Sequence, residues 1–179
     1  MQKDNILYSK NTLEFVTVAV EFCAFLENTA KYELIPFIDK AVRLLPLLYL
    51  KTTLLDITET SEKEEFEDAP ENFIDEETYE VVRLRIADLL GEYDTFLDTF
   101  HPDIRYSDTP IVVTVSENLA DMYQDIGNFA AQFRQENEEV MKKSLILCEE
   151  NFRLYWGQKL LNALKALHVV RFNEIDIIN

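Results

Sequence analysis

Residues that form tight turns are scarce in this sequence, and their scarcity limits the folds that the chain can adopt. The chain of 179 residues contains three glycines and five prolines, whereas a fold of many short strands needs such residues at most of its turns. Hydrophobic residues make up 47% of the chain, and they recur mainly at helical spacing. The sequence therefore predicts an all-α protein, a single domain over residues 1–179 built as a bundle of about five helices.

Each predicted helix starts at a residue that favours a helix N-terminus. Asparagine, aspartate and serine accept hydrogen bonds from the free N–H groups of a first turn, and proline fits within that turn because its missing N–H costs nothing there. The predicted starts are Asn11, Glu33 with Pro36 in its first turn, Asp75, Ser116 and Asn137. Pro46 lies inside the second helix, so that segment is either one kinked helix or two short ones.

The region between the third and fourth helices is the hardest to assign. Tyr93, Phe96 and Phe100 continue the helical spacing of the third helix, which predicts that this helix extends to Pro102. Residues 111–115 are β-branched throughout, but a single strand has no partner elsewhere in the predicted fold. We therefore expect an extended loop before the fourth helix.

Residues 56–75 form the most acidic part of the chain. From residue 56 to residue 80, twelve acids stand against one base, Lys63, so this stretch holds −11 of the net charge of −17. We expect an acidic loop between helices, and the alternative is a clasp anchored by Phe66 and Phe73. Such a surface repels nucleic acids and anionic lipids and attracts basic proteins.

The apolar side of the last predicted helix changes direction at Trp156 and Gly157. Before this pair the apolar residues include Leu145 and Cys148, whereas after it they centre on Leu164, roughly 130° further around a helix of 3.6 residues per turn. One straight helix cannot present both sides to the same neighbours. The sequence predicts a long C-terminal helix that either bends at this pair or packs its two halves against different helices.

Several classes of enzyme are disfavoured by counting residues. The chain has two cysteines, Cys23 and Cys148, and two histidines, His101 and His168, without the spacings of zinc sites or of di-metal bundles. Each cysteine lies in an apolar helical pattern and is expected to be a buried thiol. Glycine-rich phosphate loops and the G-x-S-x-G serine motif are absent. No catalytic residue, metal ligand or cofactor is predicted.

Paired carboxylates leave one enzymatic alternative open. Some helical nucleotide pyrophosphohydrolases hold magnesium with carboxylate pairs from two helices. Glu77 and Glu80 have the spacing of such a pair, and Glu117 and Asp121 share one helix face. A magnesium-dependent hydrolase of small phosphorylated compounds requires these four side chains to converge. Because 34 acids occur in the chain, such pairs also arise by chance, and this alternative ranks below a non-catalytic function.

The candidate binding residues lie in the last helix. Arg153, Tyr155, Trp156 and Lys159 interleave cations with aromatic rings, a pattern found in surfaces that bind nucleic acid or an acidic partner. The internal explanation is that these cations pair with the chain's own carboxylates and complement the helix dipole. Binding of RNA or a nucleotide is thus the weaker alternative, and a role for Trp156 requires an exposed ring.

Three stretches resemble a known family of bacterial proteins. They are LLPLLYLKTTLL with the acidic segment after it, SENLADMYQDIGNF, and the Trp–Gly pair of the last helix. The resemblance covers nearly the whole chain and is to an uncharacterised helical domain of unknown function found in Bacteroidetes and Actinobacteria. It implies a bacterial cytoplasmic protein with an all-helical fold, and it carries over no catalytic residue.

A non-catalytic interaction or adaptor domain is the function that the sequence favours. Its expected partner is a protein with a basic surface, attracted to the acidic segment, while nucleic acid is disfavoured by the net charge. No apolar run approaches the roughly 18 residues that a membrane span needs, and the first residues lack the features of a signal peptide. We therefore expect a cytoplasmic protein.

Overall fold

The fold of the protein is described by a computed structural model for residues 5–57, 71–98, 103, 106, 109 and 111–174. The helices in this part of the chain are α1 Lys10–Glu27, α2 Leu34–Thr53, α3 Glu76–Leu90, α4 Val115–Phe133, α5 Glu138–Asn151 and α6 Gly157–Val169. A π-helical segment, Phe152–Trp156, joins α5 to α6 without a break, and a second one, Val170–Glu174, follows α6. Two strands, β1 Thr95–Asp98 and β2 Ile111–Thr114, form an antiparallel pair. The prediction of an all-α bundle with a long C-terminal helix is confirmed.

The core of the molecule surrounds α4. This helix contacts α1, α3, α5 and α6, and α2 packs against α1 and α6. Twelve of the nineteen residues of α4 are buried, and a helix that is buried on most sides belongs in the interior of a bundle. Among the residues that the structure describes, no helix is long and apolar enough to span a membrane.

The start of α1 lies beside the end of α2. α2 is one helix with Pro46 inside it, which decides between the two predicted alternatives. The predicted cap of α1, Asn11, is wrong, because Ser9 accepts the hydrogen bond from the N–H of Thr12. The Asn11 side chain instead donates to the carbonyl of Leu54 at 3.0 Å. This asparagine therefore ties two helices together rather than capping its own.

The region between α3 and α4 differs most from the prediction. α3 ends at Gly91, whose positive φ of 54° suits glycine and stops the helix. The prediction that the third helix continues is wrong, because β1 replaces it. The expected extended loop is wrong as well, since the β-branched run forms β2 and β1 is the partner that it needed. The register runs from Thr95 opposite Thr114 to Asp98 opposite Ile111. Pro102, the predicted end of that helix, lies outside the described residues.

Asp94 fixes the start of α4 against the strand pair. One oxygen of this buried carboxylate accepts a hydrogen bond from the N–H of Ser116 and the other from its hydroxyl, both at 2.7 Å. Thr114, not the predicted Ser116, is the cap of α4 and accepts from the N–H of Glu117. A carboxylate at a helix N-terminus is stabilised by the helix dipole and by the charge-assisted bonds that it accepts. Asp94 therefore positions the helix that organises the core.

Most of the predicted acidic loop, residues 56–75, lies outside the described residues. Of its two predicted anchors, Phe66 falls in that undescribed stretch, and Phe73 is exposed. Where the chain is described again, the side chain of Asn128 on α4 accepts from the N–H groups of Phe73 and Ile74 at 2.7 and 2.9 Å. The described end of the acidic segment is thus held by its backbone, not by the phenylalanine ring.

The π-helical turn between α5 and α6 explains the shift in the apolar pattern. The N–H of Gly157 donates to the carbonyl of Phe152, five residues earlier, so this turn holds one more residue than an α-helical turn. One extra residue rotates the following pattern by about 100°, which brings Leu160 and Leu167 back to the side that Leu145 occupies. Both α5 and α6 consequently contact α4, and α6 also reaches α2.

Gly157 is the residue that this turn requires. A Cβ atom at this position would lie 2.5 Å from the carbonyl oxygen of Phe152 and 2.9 Å from two atoms of its ring. The neighbouring Trp156 is completely buried, its ring centroid lies 4.8 Å from that of Phe152, and its Nε1 donates to the carbonyl of Cys148 at 3.0 Å. The Trp–Gly pair is a structural feature of the helix.

Cys23 and Cys148 are buried free thiols, as the sequence predicts. Burial raises the pKa of the Cys23 thiol to about 12, and it raises the pKa of Cys148 well above the ordinary value. A thiol is nucleophilic only as its thiolate. Both cysteines therefore serve as small core residues.

Candidate functional site

Two of the predicted binding residues, Trp156 and Arg153, are held by neighbours within their own helix. A binding role for Trp156 required an exposed ring, and the ring is completely buried. The Arg153 side chain is exposed, but its guanidinium pairs with the carboxylate of Glu149 one turn earlier. The free cation and open aromatic face that nucleic-acid binding uses are not presented together at these positions.

The other two predicted residues converge on α4 in what we call the Asp121 cluster, which consists of Tyr79, Asp121, Tyr155 and Lys159. Asp121 Oδ2 accepts from the hydroxyl of Tyr155 at 2.9 Å and pairs with Lys159 Nζ at 2.8 Å. Asp121 Oδ1 accepts from the hydroxyl of Tyr79 at 2.8 Å. Burial, followed by the Asp121 carboxylate, raises the pKa of both tyrosines. Both hydroxyls therefore remain donors at neutral pH, and the cluster joins α3, α4 and the C-terminal helix.

The carboxylates considered for magnesium binding do not form a site. Both oxygens of Asp121 have partners in the cluster, and the Glu80 carboxylate is bound by the Arg83 guanidinium at 2.8 and 3.0 Å. In the part of the chain that the structure describes, no three histidine, cysteine or carboxylate groups lie close enough together to hold a metal ion. A hydrolase that needs Glu77, Glu80, Glu117 and Asp121 to converge is therefore not supported.

Asp125, one turn after Asp121 on α4, is a perturbed carboxyl group. Burial raises its pKa to about 6, the hydrogen bond from Asn151 lowers it, and the nearby charge of Asp121 raises it again. The Asn151 Nδ2 atom donates to Asp125 Oδ1 at 2.9 Å. This carboxyl group consequently changes charge close to neutral pH, where the stability of the fold depends on it.

A cavity of about 510 Å³, which we call the β1–α6 groove, lies between β1 and α6. Its size is within the roughly 300–1,000 Å³ of most ligand pockets. One wall consists of Glu92, Tyr93 and all four residues of β1. The other consists of Gln158, Leu161, Asn162, Lys165, Ala166, Val169, Val170 and Glu174. Except for Glu174, the residues of this second wall recur at the spacing of a single helix face.

Each wall of the groove includes an apolar side chain that the fold leaves in solvent. Leu97 of β1 is 57% exposed and Leu161 of α6 is 42% exposed. The carboxylate of Asp98 accepts from the side chain of Asn162 at 3.3 Å, which links the strand to the helix. Both walls of the groove therefore expose apolar area, and a polar contact joins them.

The charged residues around the groove are mostly acidic. Among the residues that the structure describes, Glu92, Asp98 and Glu174 line it together with a single cation, Lys165. The whole chain carries a net charge of −17, so the field of the molecule adds to that of these three carboxylates. The groove is suited to an apolar group that carries, or lies next to, a positive charge.

The groove was missed by the sequence analysis because its two walls are distant in the chain. Because Phe96 and Leu97 fit the apolar spacing of the third helix, this segment was assigned to that helix and not to a strand. Two features were better indicators. Gly91 before them marks the end of a helix, and the β-branched residues after them indicate a strand, which needs a second strand to pair with. On α6, Leu161 lies off the core stripe, and an apolar residue off that stripe marks a second surface.

The chain has counterparts among known proteins over nearly all of its length. A family described as Domain of unknown function (DUF5063) matches residues 6–173. The chain is similar to protein BF1032 from Bacteroides fragilis, with 40% sequence identity. The match to that crystal structure covers 94% of this chain and 96% of that chain, with a TM-score of 0.80. No curated protein matches the chain.

Proposed function

The chain belongs to the family described as Domain of unknown function (DUF5063), and we propose that it is a non-catalytic interaction domain that binds a basic protein partner in the β1–α6 groove. The groove is the single observation that carries this proposal. Apolar walls, a concave shape and acidic charge coincide in it.

Apolar area supplies the affinity in this proposal. Leu97 and Leu161 remain exposed on opposite walls. Covering such side chains contributes about 25 cal/mol for each Å² removed from water, from which the entropy cost of association is subtracted. Exposed apolar surface inside a concave site commonly marks a place of binding. The partner is therefore expected to insert at least one apolar side chain between the two walls.

Charge supplies the preference for a basic partner. Three carboxylates and one lysine line the groove among the described residues, and the acidic molecule as a whole attracts cations from a distance. Complementary charge raises association rates and rejects acidic competitors. The negative charge also disfavours nucleic acid. In addition, Arg153 and Lys159 already pair with carboxylates of the chain.

The chemistry of the lining residues agrees with binding rather than catalysis. The described residues that line the groove include no histidine, cysteine or serine, the side chains that most often act as general bases or nucleophiles. The most buried lining carboxylate, Asp98, is engaged by Asn162. We further propose a cytoplasmic location, which suits the free thiols of Cys23 and Cys148.

The acidic segment has its own predicted role, which is to attract the same partner. Deleting Ser61–Glu71 removes carboxylates without touching the described groove, so we expect slower association and a weaker dependence on salt. Stopped-flow measurements at two salt concentrations check this. An association rate unchanged by the deletion at low salt would overturn the role of the segment but not that of the groove.

The groove itself is tested with a defined probe, a short fluorescent peptide in which valine alternates with lysine. We expect Leu161→Lys to weaken its binding about tenfold or more, equivalent to about 1.4 kcal/mol, because the change removes an apolar wall and adds a repelling charge. Leu154→Lys is the matched control, since Leu154 lies on the same long helix, is 86% exposed and does not line the groove.

Fluorescence anisotropy of the labelled peptide measures both variants. The control is expected to change the dissociation constant by less than about twofold, the size of a distant screened charge. Equal weakening by Leu161→Lys and Leu154→Lys would mean that the peptide responds only to the overall negative charge. That result would overturn the groove as the binding site.

A further inference from the structure

Helices α1 and α2 leave two rows of apolar side chains in solvent along the surface that they share. Leu13 and Val20 on α1 and Leu47, Leu50 and Leu54 on α2 are each between 40% and 51% exposed. Within each helix these residues are separated by three, four or seven positions, so each row lies on a single helix face. We call the surface formed by the two rows the α1–α2 face.

A shallow groove between the two helices shows that the rows are neighbours. It has a volume of about 590 Å³, and its lining includes Val16, Thr17 and Val20 from α1 and Leu44 and Leu47 from α2. Apolar residues that are exposed one at a time are common on protein surfaces, whereas a contiguous apolar patch marks a place of interaction. The α1–α2 face is a patch of the second kind.

Ion pairs join α1 to α2 toward both ends of this face. Lys51 Nζ lies 2.6 Å from Glu14 Oε2, and Lys40 Nζ lies 2.6 Å from Glu21 Oε1. Exposed pairs of this kind contribute little to stability, but they neutralise the charges beside the apolar rows. The face is therefore bordered by charges that already have partners.

The segment that forms this face is neutral, although the chain is strongly acidic. Residues 10–53 contain five cations and five acids, whereas the whole chain has a net charge of −17. Charges elsewhere on the surface that are more than about 10 Å apart are largely screened at 0.1 M salt. Two such faces can thus approach one another, and their neutrality gives a strongly charged partner no advantage.

We propose that two copies of this chain associate through their α1–α2 faces. A two-fold axis places the same patch of both copies in contact, so the apolar rows of one copy cover those of the other. The four helices then pack as the helices of a bundle do. This inference is independent of the proposed function, because the β1–α6 groove and the α1–α2 groove share no lining residue among those that the structure describes.

The size of the face is sufficient for a dimer of moderate affinity. α1 has 18 residues and is about 27 Å long, and two helices side by side are about 20 Å wide. Each copy therefore contributes about 540 Å² in projection, and the pair covers about 1,100 Å², which exceeds the roughly 1,000 Å² expected of a specific interface. An area near this lower limit predicts a dissociation constant of about 10–100 µM.

Sedimentation equilibrium of the full chain over a series of concentrations tests the association. We expect a monomer–dimer equilibrium whose dissociation constant falls about threefold or more when sodium chloride is raised from about 0.05 to 0.5 M, because salt screens the repulsion between two acidic copies. A chain that stays monomeric up to about 1 mM would overturn the proposal and leave the face to a different apolar partner. A dimer that salt weakens would also overturn it, since charge would then hold the copies together.

Substitutions on the two rows test whether this face is the interface. Leu50→Glu and Val20→Lys place charges of opposite sign on it, and each is expected to weaken the dimer about tenfold or more. Leu84→Glu is the matched control, because Leu84 lies on α3 and is 55% exposed, and it is expected to change the dissociation constant by less than about twofold. Equal weakening by all three variants, or no weakening by either variant of the face, would overturn the assignment.

Circular dichroism of each variant separates dissociation from unfolding. All three positions are exposed, so the helical signal is expected to match that of the parent. A variant of the face that is folded and monomeric at concentrations where the parent is a dimer supports the proposal. A parent dimer that persists in the folded Leu50→Glu and Val20→Lys variants places the interface elsewhere and overturns it.

Discussion

The Asp121 cluster and the β1–α6 groove both involve the C-terminal helix, and they differ in what the chain does with their side chains. In the cluster, Asp121 accepts from two tyrosine hydroxyls and pairs with Lys159. In the groove, the apolar side chains of Leu97 and Leu161 remain exposed. The polar groups of the first region bind one another, whereas the second region leaves apolar area in solvent.

This difference shows how misleading a conspicuous sequence pattern is when it is considered alone. The aromatic and basic run around Tyr155 is what a binding surface looks like in sequence, yet its polar groups bind side chains of the same protein. The groove is built from residues that draw no attention in sequence. We therefore expect substitutions in the cluster to change stability and substitutions in the groove to change binding.

The largest effect is expected from Asp121→Ala. The variant leaves two hydroxyls and the Lys159 ammonium without their acceptor. In this partly buried network, losing a charged acceptor shared by three donors costs about 3 kcal/mol. Chemical denaturation measures the loss, with the exposed Gln124→Ala on the same helix as control. A loss below about 0.5 kcal/mol would remove the distinction between the two regions.

A smaller loss is expected from Gly157→Ala, which tests the turn that orients both regions. The added methyl group would meet the carbonyl and ring of Phe152, and such overpacking costs about 1–3 kcal/mol. Part of this is offset because alanine is a better helix former than glycine, so we expect a net loss of about 2 kcal/mol in denaturant unfolding. A variant as stable as the parent would contradict the requirement for glycine in the π turn.

Asp125→Asn should change the dependence of stability on pH. Burial raises the pKa of Asp125 to about 6, so the folded state holds this proton more tightly than the unfolded state. The contribution of the protonated Asp125 to the stability of the folded state is complete below about pH 4 and is lost as the pH rises through 6. The side chain is partly exposed, so screening reduces the gain expected for the variant to about 1 kcal/mol at pH 8.

Unfolding by denaturant at pH 4 and pH 8 checks this prediction. The amide can still accept the hydrogen bond from Asn151, which makes Asp125→Asn a conservative change. The variant is expected to match the parent at pH 4 and to exceed it at pH 8. A constant difference between the two proteins at both pH values would contradict the assigned titration.

The smallest change in stability is expected from Leu161→Lys, although it should have the largest effect on binding. Its side chain is exposed, and substitutions at such positions usually alter stability by less than about 0.5 kcal/mol. Thermal unfolding measured beside peptide binding checks both halves of the statement. A large loss of stability would show that Leu161 belongs to the core, and the contrast with the cluster would disappear.

Helical periodicity predicted most of the fold, and it failed where contacts between distant residues decide the structure. The starts of α3 and α5 at Asp75 and Asn137 were predicted because each cap bonds its own first turn. Asn11 and Ser116 were wrong as caps because Leu54 and Asp94, far away in sequence, bind those residues instead. Local propensity carries no information about such partners.

The same limit applies to the two sites. The offset between the two apolar stripes of the C-terminal helix was visible in the sequence, but the π turn that realigns them needed the structure. The groove is lined by both Leu97 and Leu161, which lie 64 positions apart in the sequence. A pairing of this kind depends on how β1 and α6 pack, so spacing within either segment could not have predicted it.

Mapping the peptide onto the whole chain by NMR tests the central claim most directly. The uniformly labelled protein is titrated with the valine–lysine peptide while the backbone amide shifts are followed. We expect the largest shifts in β1 and at Leu161 and Lys165 on the groove face of α6, with little change at Tyr79 and Asp121. Shifts that centre on the Asp121 cluster, or that spread evenly over the acidic surface, would contradict the assignment of the groove as the binding site.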